Sequence, residues 1–485
     1  MTDNNIASRD SQWREELRKA MPAKERTAIP RVKMPELDPA YRITTFTEEV
    51  NQGLSAEQAV TEATRCLDCP DPTCTKGCPV SIDIPAFIKN VQRGRNDLAL
   101  EVLRNTSALP AVCGRVCPQE RQCESKCIYN RMGKQPVAIG YIERFAADTA
   151  GSEPVKAQPV EPNGIKIAVA GSGPSGLSFA ADMAARGFDV TVFEALHEIG
   201  GVLKYGIPEF RLPNAIVDRE IQGLQAAGVK FVVDTIIGKT ISIDNLRERG
   251  FKGIFVASGA GLPRFMGIPG ENLIGVMSSN EYLTRINLMG AGREGFDTPV
   301  AHGKVVAVIG GGNTAMDSSR TARRMGAEKV YIVYRRSEVE MPARVEEVKH
   351  AKEEGIELMT LSNPVEYLGD EKGRVTAMKV QRMELGEPDE SGRRSPVPIP
   401  GAVDTVPVDM VIVSVGVSPN PIIPNSVDGL DISRRGTIVI NDDTMQSSIG
   451  DLYAGGDIVR GGATVILAMG DGRRAAAGMA AALIP

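Results

Sequence analysis

Residues 167–176, IAVAGSGPSG, constrain this chain more than any other stretch. A run of small apolar residues, Ile167 to Ala170, enters Gly171-x-Gly173-x-x-Gly176, with Pro174 and Ser175 between the last two glycines. The helix-patterned segment LSFAADMAARG follows. Strand, tight turn and helix in that order bring backbone N–H groups and a helix N-terminus to a pyrophosphate. Gly171 permits the turn, Gly173 lets the backbone approach the phosphates, and Gly176 lets helix pack on strand. The next strand, DVTVFE, ends in Glu194, 23 residues beyond Gly171, where a carboxylate can accept from a ribose 2′-hydroxyl. A lone glycine triplet is weak evidence, but its flanking strand and helix and the acid at that distance predict a dinucleotide fold.

Residues 304–315, KVVAVIGGGNTA, repeat the logic. Gly310-x-Gly312-Asn313-Thr314-Ala315 joins an apolar strand to the helix-patterned MDSSRTARRMGA. The following strand, KVYIVYRRS, ends in Arg335 and Arg336 rather than an acid. Losing the ribose carboxylate and gaining guanidinium groups is what a 2′-phosphate requires. The bland alternative is a solvated strand end; the paired change favours NADPH here and FAD in the first fold. GGVLKYGIPEFRLP, after Glu194, reads as a glycine-rich loop without regular structure, and its Gly201 and Leu203 are candidates to approach a flavin. Near the C-terminus, DLYAGG runs into Gly456 and Asp457, then a helix from about Ala463 and Thr464. An aspartate there suits a ribityl hydroxyl, and a helix N-terminus stabilises a reduced flavin. The last segment must then return to the first fold, leaving the second inserted within it. Hydride transfer needs no side-chain acid or base, so no catalytic residue is named.

All eight cysteines lie between Cys66 and Cys127, in the groups Cys66-x2-Cys69-x4-Cys74-x3-Cys78-Pro79 and Cys113-x3-Cys117-Pro118-x4-Cys123-x3-Cys127. Structural zinc favours paired Cys-x2-Cys knuckles, and only one is present. Disulfides belong to oxidising compartments, which nothing in the sequence suggests. Short loops, eight thiols and Cys-Pro pairs in both groups favour two iron–sulfur clusters that exchange ligands between the groups.

A net charge of −5 over 485 residues predicts no nucleic-acid steering, and no apolar run approaches the span of a bilayer. The acidic, core-less first 20 residues argue against a signal peptide, so a cytoplasmic location is expected. The expected organisation is a helical cysteine domain with a polar arm at 1–150, then two Rossmann-like α/β folds. The first fold takes 160–300 and 419–485, and the second takes 301–418. GSEPVKAQPVEPNG, at 151–164, is the expected linker, and EPDESGRRSPVPIPG the expected mobile tip of a β-hairpin. No chemistry is expected before Cys66.

With both cysteine groups, GSGPSG, GGVLKYGIPEFRLP, GGGNTAMD, YRRS and AGGDIVRG in one order, the chain resembles the small (β) subunit family of NADPH-dependent glutamate synthase. It is similar also to the large subunit of NADH-dependent reduced ferredoxin:NADP oxidoreductase and to the N-terminal part of dihydropyrimidine dehydrogenase. The resemblance implies FAD, NADPH and two 4Fe–4S clusters, with hydride passing to FAD and single electrons leaving through the clusters. It implies Cys66, Cys69, Cys74 and Cys127 at one cluster, and Cys78, Cys117 and Cys123 at the other. Cys113 is then spare, and Glu143 matches the position of the remaining ligand, a glutamine in the dehydrogenase. The implied partner is a glutamate synthase large subunit that makes glutamate from glutamine and 2-oxoglutarate. In the alternative, an electron-bifurcating transhydrogenase, it is a small flavin and 2Fe–2S subunit.

Overall fold

The computed structural model describes residues 6–151, 160–390 and 392–484, so the central part of the expected linker lies outside the described residues. In the cysteine domain, helices Ala56–Arg65, Ile84–Gln92, Asn96–Arg104, Pro110–Val116 and Ile139–Ala150 surround a core that includes Ala63, Phe87, Leu103, Val112 and Ile142. Ser55 and Gln58 close a capping box that starts the first of these, and Asp83 caps the second ahead of Pro85. The same apolar cluster continues into Val169, Phe179 and Met479, so the cysteine domain and the first dinucleotide fold share one core.

The first sheet is parallel, in the order Leu452–Ala454, Phe251–Val256, Lys166–Ala170, Asp189–Phe193, Lys230–Val232. Its edge strand comes from the far end of the chain, with Tyr453 opposite Phe255. The second sheet, also parallel, runs Val276–Ser278, Met410–Val413, Val305–Ile309, Lys329–Tyr334, Glu357–Thr360, and is inserted between strands of the first. An antiparallel ribbon, Leu262–Pro263 with Val417–Ser418, ties the two crossings together.

Two local expectations are corrected. GGVLKYGIPEFRLP contains a helical turn, Val202–Tyr205, entered through Gly201 at φ +55°. The expected mobile tip is mostly ladder, because strands Val375–Pro388 and Arg394–Pro407 stay paired out to Pro388 and Arg394. Together with Ser362–Gly369 they form a meander on the second fold.

A buried ionic network bolts the folds to one another. Arg211, in the first fold, donates to both Asp317 oxygens at 2.6 and 2.7 Å and reaches Glu347 at 3.1 Å. Arg42, from the arm, meets Glu354 at 2.9 Å, and the Phe210 ring lies under Arg320 and Arg324. Deleting one member of such a buried set strands the opposite charge, which costs about 3–5 kcal/mol. Arg211→Ala is therefore expected to lower the urea midpoint followed by circular dichroism by a free energy of about 3–5 kcal/mol. An unchanged midpoint would show that Asp317 and Glu347 do not depend on this cation.

Candidate functional site

At the first glycine turn the backbone leaves no space for side chains. A Cβ on Gly171, at φ +108°, would lie 2.5 Å from the Ala257 carbonyl oxygen, and one on Gly176 would lie 2.0 Å from that of Gly171. Gly173 faces open space at the N-terminus of helix Pro174–Ala184, which leaves its backbone approachable. Buried Glu194 accepts from the Ser172 and Leu196 amides, both at 2.9 Å, and Ser172 Oγ accepts from the Gly200 amide at 2.9 Å. Glu194 Oε2 also accepts from the Ser172 hydroxyl, so Oε1 is the carboxylate oxygen that keeps a further acceptor direction for a ribose hydroxyl. A Cβ on Gly201 would sit 3.0 Å from Gly173 Cα, so the two glycine loops touch. Leu203 is buried beneath them.

Gly456, at φ +78°, packs on Ser175, whose buried hydroxyl has no hydrogen-bond partner. Such an orphaned hydroxyl, beside open backbone, fits a bound dinucleotide. Burial pushes the Asp457 carboxyl up to about 6 although it accepts from the Ala463 amide. The long helix begins at Val465, with Thr464 as its cap, slightly later than expected. Residues missed by sequence reasoning complete this side. Burial pushes the Tyr205 hydroxyl up to about 12, and the nearby Asp457 and Glu194 carboxylates push in the same direction. Asp471 accepts from the Gly456 amide at 3.1 Å and from Arg460, holding the turn that carries Asp457. The only sequence signal for Asp471 is a lone acid in the apolar run VILAMGDG.

In the second fold, a Cβ on Gly310 would meet the Ser414 carbonyl oxygen at 2.3 Å, and Ala315 is buried against the strand. Gly312 caps helix Asn313–Arg324, Thr314 is exposed at its start, and Asn313 Oδ1 accepts from the Arg344 amide at 2.9 Å. The two arginines differ, against the expectation of one shared role. Arg335 is exposed, whereas buried Arg336 donates through Nη2 to Asp389 at 2.6 Å and through Nε to the Arg394 carbonyl at 2.8 Å. Arg336 thus anchors the meander, and Arg335 is the exposed guanidinium at the strand end.

The cysteines form two groups. Cys66, Cys69, Cys74 and Cys127 line one pocket together with Ile84, Ile88 and Tyr129. Burial, reinforced by neighbouring Cys66 and Cys127, drives the Cys69 thiol up to about 11 and Cys74 higher still. Thiols held so far from their ionised form in a close set need a cation to become thiolates, which a metal cluster supplies. The second group places Cys78, Cys117, Cys123 and Glu143 within electrostatic reach of one another. Burial pushes Glu143 up to about 8, and its Oε1 has no hydrogen-bond partner. Both observations fit a fourth ligand. Cys113 touches this group through a thiol contact with Cys117, and on its other side its sulfur lies 3.5 Å from that of Met469.

Helix Val465–Leu483 brings the flavin side to the second group. Besides the Met469 contact, a Cβ on Gly470 would lie 3.1 Å from the Pro79 carbonyl oxygen, and Gln122 Nε2 lies 3.5 Å from Thr464 Oγ1.

Known proteins combine these parts in the same order. Residues 42–155 match the family described as dihydropyrimidine dehydrogenase domain II, 4Fe-4S cluster, and residues 165–472 match pyridine nucleotide-disulphide oxidoreductase. The glutamate synthase [NADPH] small chain of Azospirillum brasilense is 37% identical over 459 residues, covering 92% of this chain and 94% of that protein. The chain belongs to the NADPH-dependent glutamate synthase small-chain family. The Escherichia coli (strain K12) small chain is 37% identical, with 89% and 93% covered. The NADP(+)-dependent formate dehydrogenase subunit beta of Moorella thermoacetica is 39% identical over 83% of this chain, but over only 59% of its own length. Mycobacterium tuberculosis FprA in complex with NADPH shares the fold, with a TM-score of 0.56 and 21% identity over 66% of this chain and 85% of that one. As a member of this family, the chain is an NADPH-dependent flavin and iron–sulfur oxidoreductase.

Iron content tests the cysteine groups. Two 4Fe–4S sites predict about eight iron and eight sulfide per chain after anaerobic purification. Cys69→Ser and Cys117→Ser are each expected to lose about half, and Cys113→Ser almost none. Equal losses from Cys113→Ser and Cys117→Ser would overturn the grouping.

Proposed function

We propose that the chain is the electron-input subunit of a glutamate synthase, passing electrons from NADPH to a large subunit that forms glutamate from glutamine and 2-oxoglutarate. Bound FAD supplies the conversion of a two-electron hydride into single electrons, which neither NADPH nor a cubane performs. The carrying observation is the seam at helix Val465–Leu483, where Met469 and Gly470 touch Cys113 and Pro79. That seam favours an order in which electrons enter the Cys78, Cys117, Cys123 and Glu143 group first. A cluster held by Cys66, Cys69, Cys74 and Cys127 would then pass them outward.

The protein's own groups bind and orient. Gly171, Gly173 and Gly176 cradle one pyrophosphate, with Glu194 on the ribose and Asp457 and Thr464 by the flavin. Gly310, Gly312 and the turn through Asn313, Thr314 and Ala315 cradle the other. Arg335 reads the 2′-phosphate, with Arg336 fixing the meander beside it. The family relation supports a large-subunit partner.

Mixed anaerobically with a glutamate synthase large chain, the protein is expected to support NADPH-dependent glutamate formation that neither chain shows alone. Arg335→Ala removes a charge-assisted hydrogen bond worth roughly 1.5–3 kcal/mol, so KM for NADPH should rise roughly 10- to 150-fold. KM for NADH should change little. Activity without the large chain, or an unaltered NADPH to NADH preference in Arg335→Ala, would contradict the respective half of this reading.

A further inference from the structure

The arm before Cys66 packs directly on the first cysteine loop. Asp68, between Cys66 and Cys69, adopts a left-handed conformation at φ +55° with a fully buried side chain. That region is uncommon for a residue with a side chain and persists where the surroundings enforce it. Here they come from more than 40 residues upstream. Arg14 Nη2 donates to one carboxylate oxygen, and Arg18 Nη1 reaches the other at 2.6 Å. Arg9 Nε donates to the Asp68 carbonyl at 2.9 Å.

The arm is itself fastened down. The Arg93 guanidinium stacks 3.7 Å over the Trp13 ring, and Asn90 Nδ2 donates to the Ile6 carbonyl at 3.0 Å. Arg26 Nη1 donates at 2.7 Å to the carbonyl of Thr64, in the helix that delivers Cys66. From the other side, Lys89 Nζ donates to the Cys66 carbonyl. Arg9, Arg14, Arg18 and Lys89 therefore set four cationic side chains at this loop, with the Asp83 carboxylate beside Asp68 as a second acid within reach of Arg14.

We infer that the arm, residues 6–26, is a built part of the first cluster site. Its Arg14 and Arg18 act as positioning residues that hold the Cys66–Cys69 loop in ligating shape and raise the reduction potential of the group bound there. The inference rests on the reading that Cys66, Cys69, Cys74 and Cys127 hold a 4Fe–4S cluster. Reduction adds negative charge, so nearby fixed cations favour the reduced form and an unpaired carboxylate disfavours it.

The test is an EPR-monitored redox titration of the full chain, purified anaerobically, with iron counted in parallel. Arg14→Gln with Arg18→Gln is expected to shift the first cluster to a more negative potential, or to lose its share of about four iron, with the second cluster unaltered in either case. Arg14→Lys with Arg18→Lys keeps the charge and is expected to restore most of the potential. Asp68→Asn is expected to shift it the opposite way, towards positive, which guards against a double variant that fails to fold. Full iron and two unshifted potentials in the glutamine variant would overturn the inference. A wild-type chain with well under eight iron, or Cys69→Ser losing none, would instead defeat the cysteine assignment itself, and the inference with it.

Discussion

The structure depends on the close packing of one helix, Val465–Leu483, between two partners. On one side a Cβ on its Gly472 would lie 2.3 Å from the Ser175 carbonyl oxygen, so only glycine lets it meet helix Pro174–Ala184 at that distance. On the other, Gly470 rides on Pro79 and Met469 on Cys113. Moving the helix outward by the width of a methyl group would open the flavin side and part it from the second cysteine group together. The return of the chain's last strand to the first sheet makes this possible, because it delivers the helix to the centre of the molecule rather than to a free end.

Charge is managed differently in the two halves. The second dinucleotide fold is fixed by paired buried ions, Arg211 with Asp317 and Glu347, and Arg320 and Arg324 with Glu354. Breaking such pairs is costly, so they hold the fold in one orientation. The second cysteine group instead keeps its acid and thiols short of cations: Glu143 is buried with an unpartnered oxygen, and burial keeps Cys78 up at about 11. Sites that the polypeptide leaves electrostatically unsatisfied are where a metal cluster stabilises most.

Much of this was legible in the sequence because it is local. Gly171, Gly173 and Gly176 between strand and helix, and Gly310 and Gly312 in the repeat, act within a dozen residues, and the cysteine spacing limits which thiols can converge. What escaped depends on contacts between distant segments. Arg336 is committed to Asp389, 53 residues away, and no local pattern separates it from Arg335. Arg14 and Arg18 find Asp68 across 54 and 50 residues, so the arm packs on the first cysteine loop through contacts no local pattern announces. Tyr205 was hidden because two glycines disguised the turn Val202–Tyr205 as a loop.

The proposed route runs from the flavin side to the Cys117 group and then to the Cys69 group. Rapid-freeze-quench EPR after anaerobic mixing with NADPH tests it most directly, using Cys69→Ser and Cys117→Ser side by side. Cys69→Ser should still reduce its remaining cluster at the rate of the parent protein. In Cys117→Ser the flavin should bleach normally while the surviving cluster stays oxidised. Reduction of that surviving cluster at the parental rate would contradict the order and place the electron entry elsewhere.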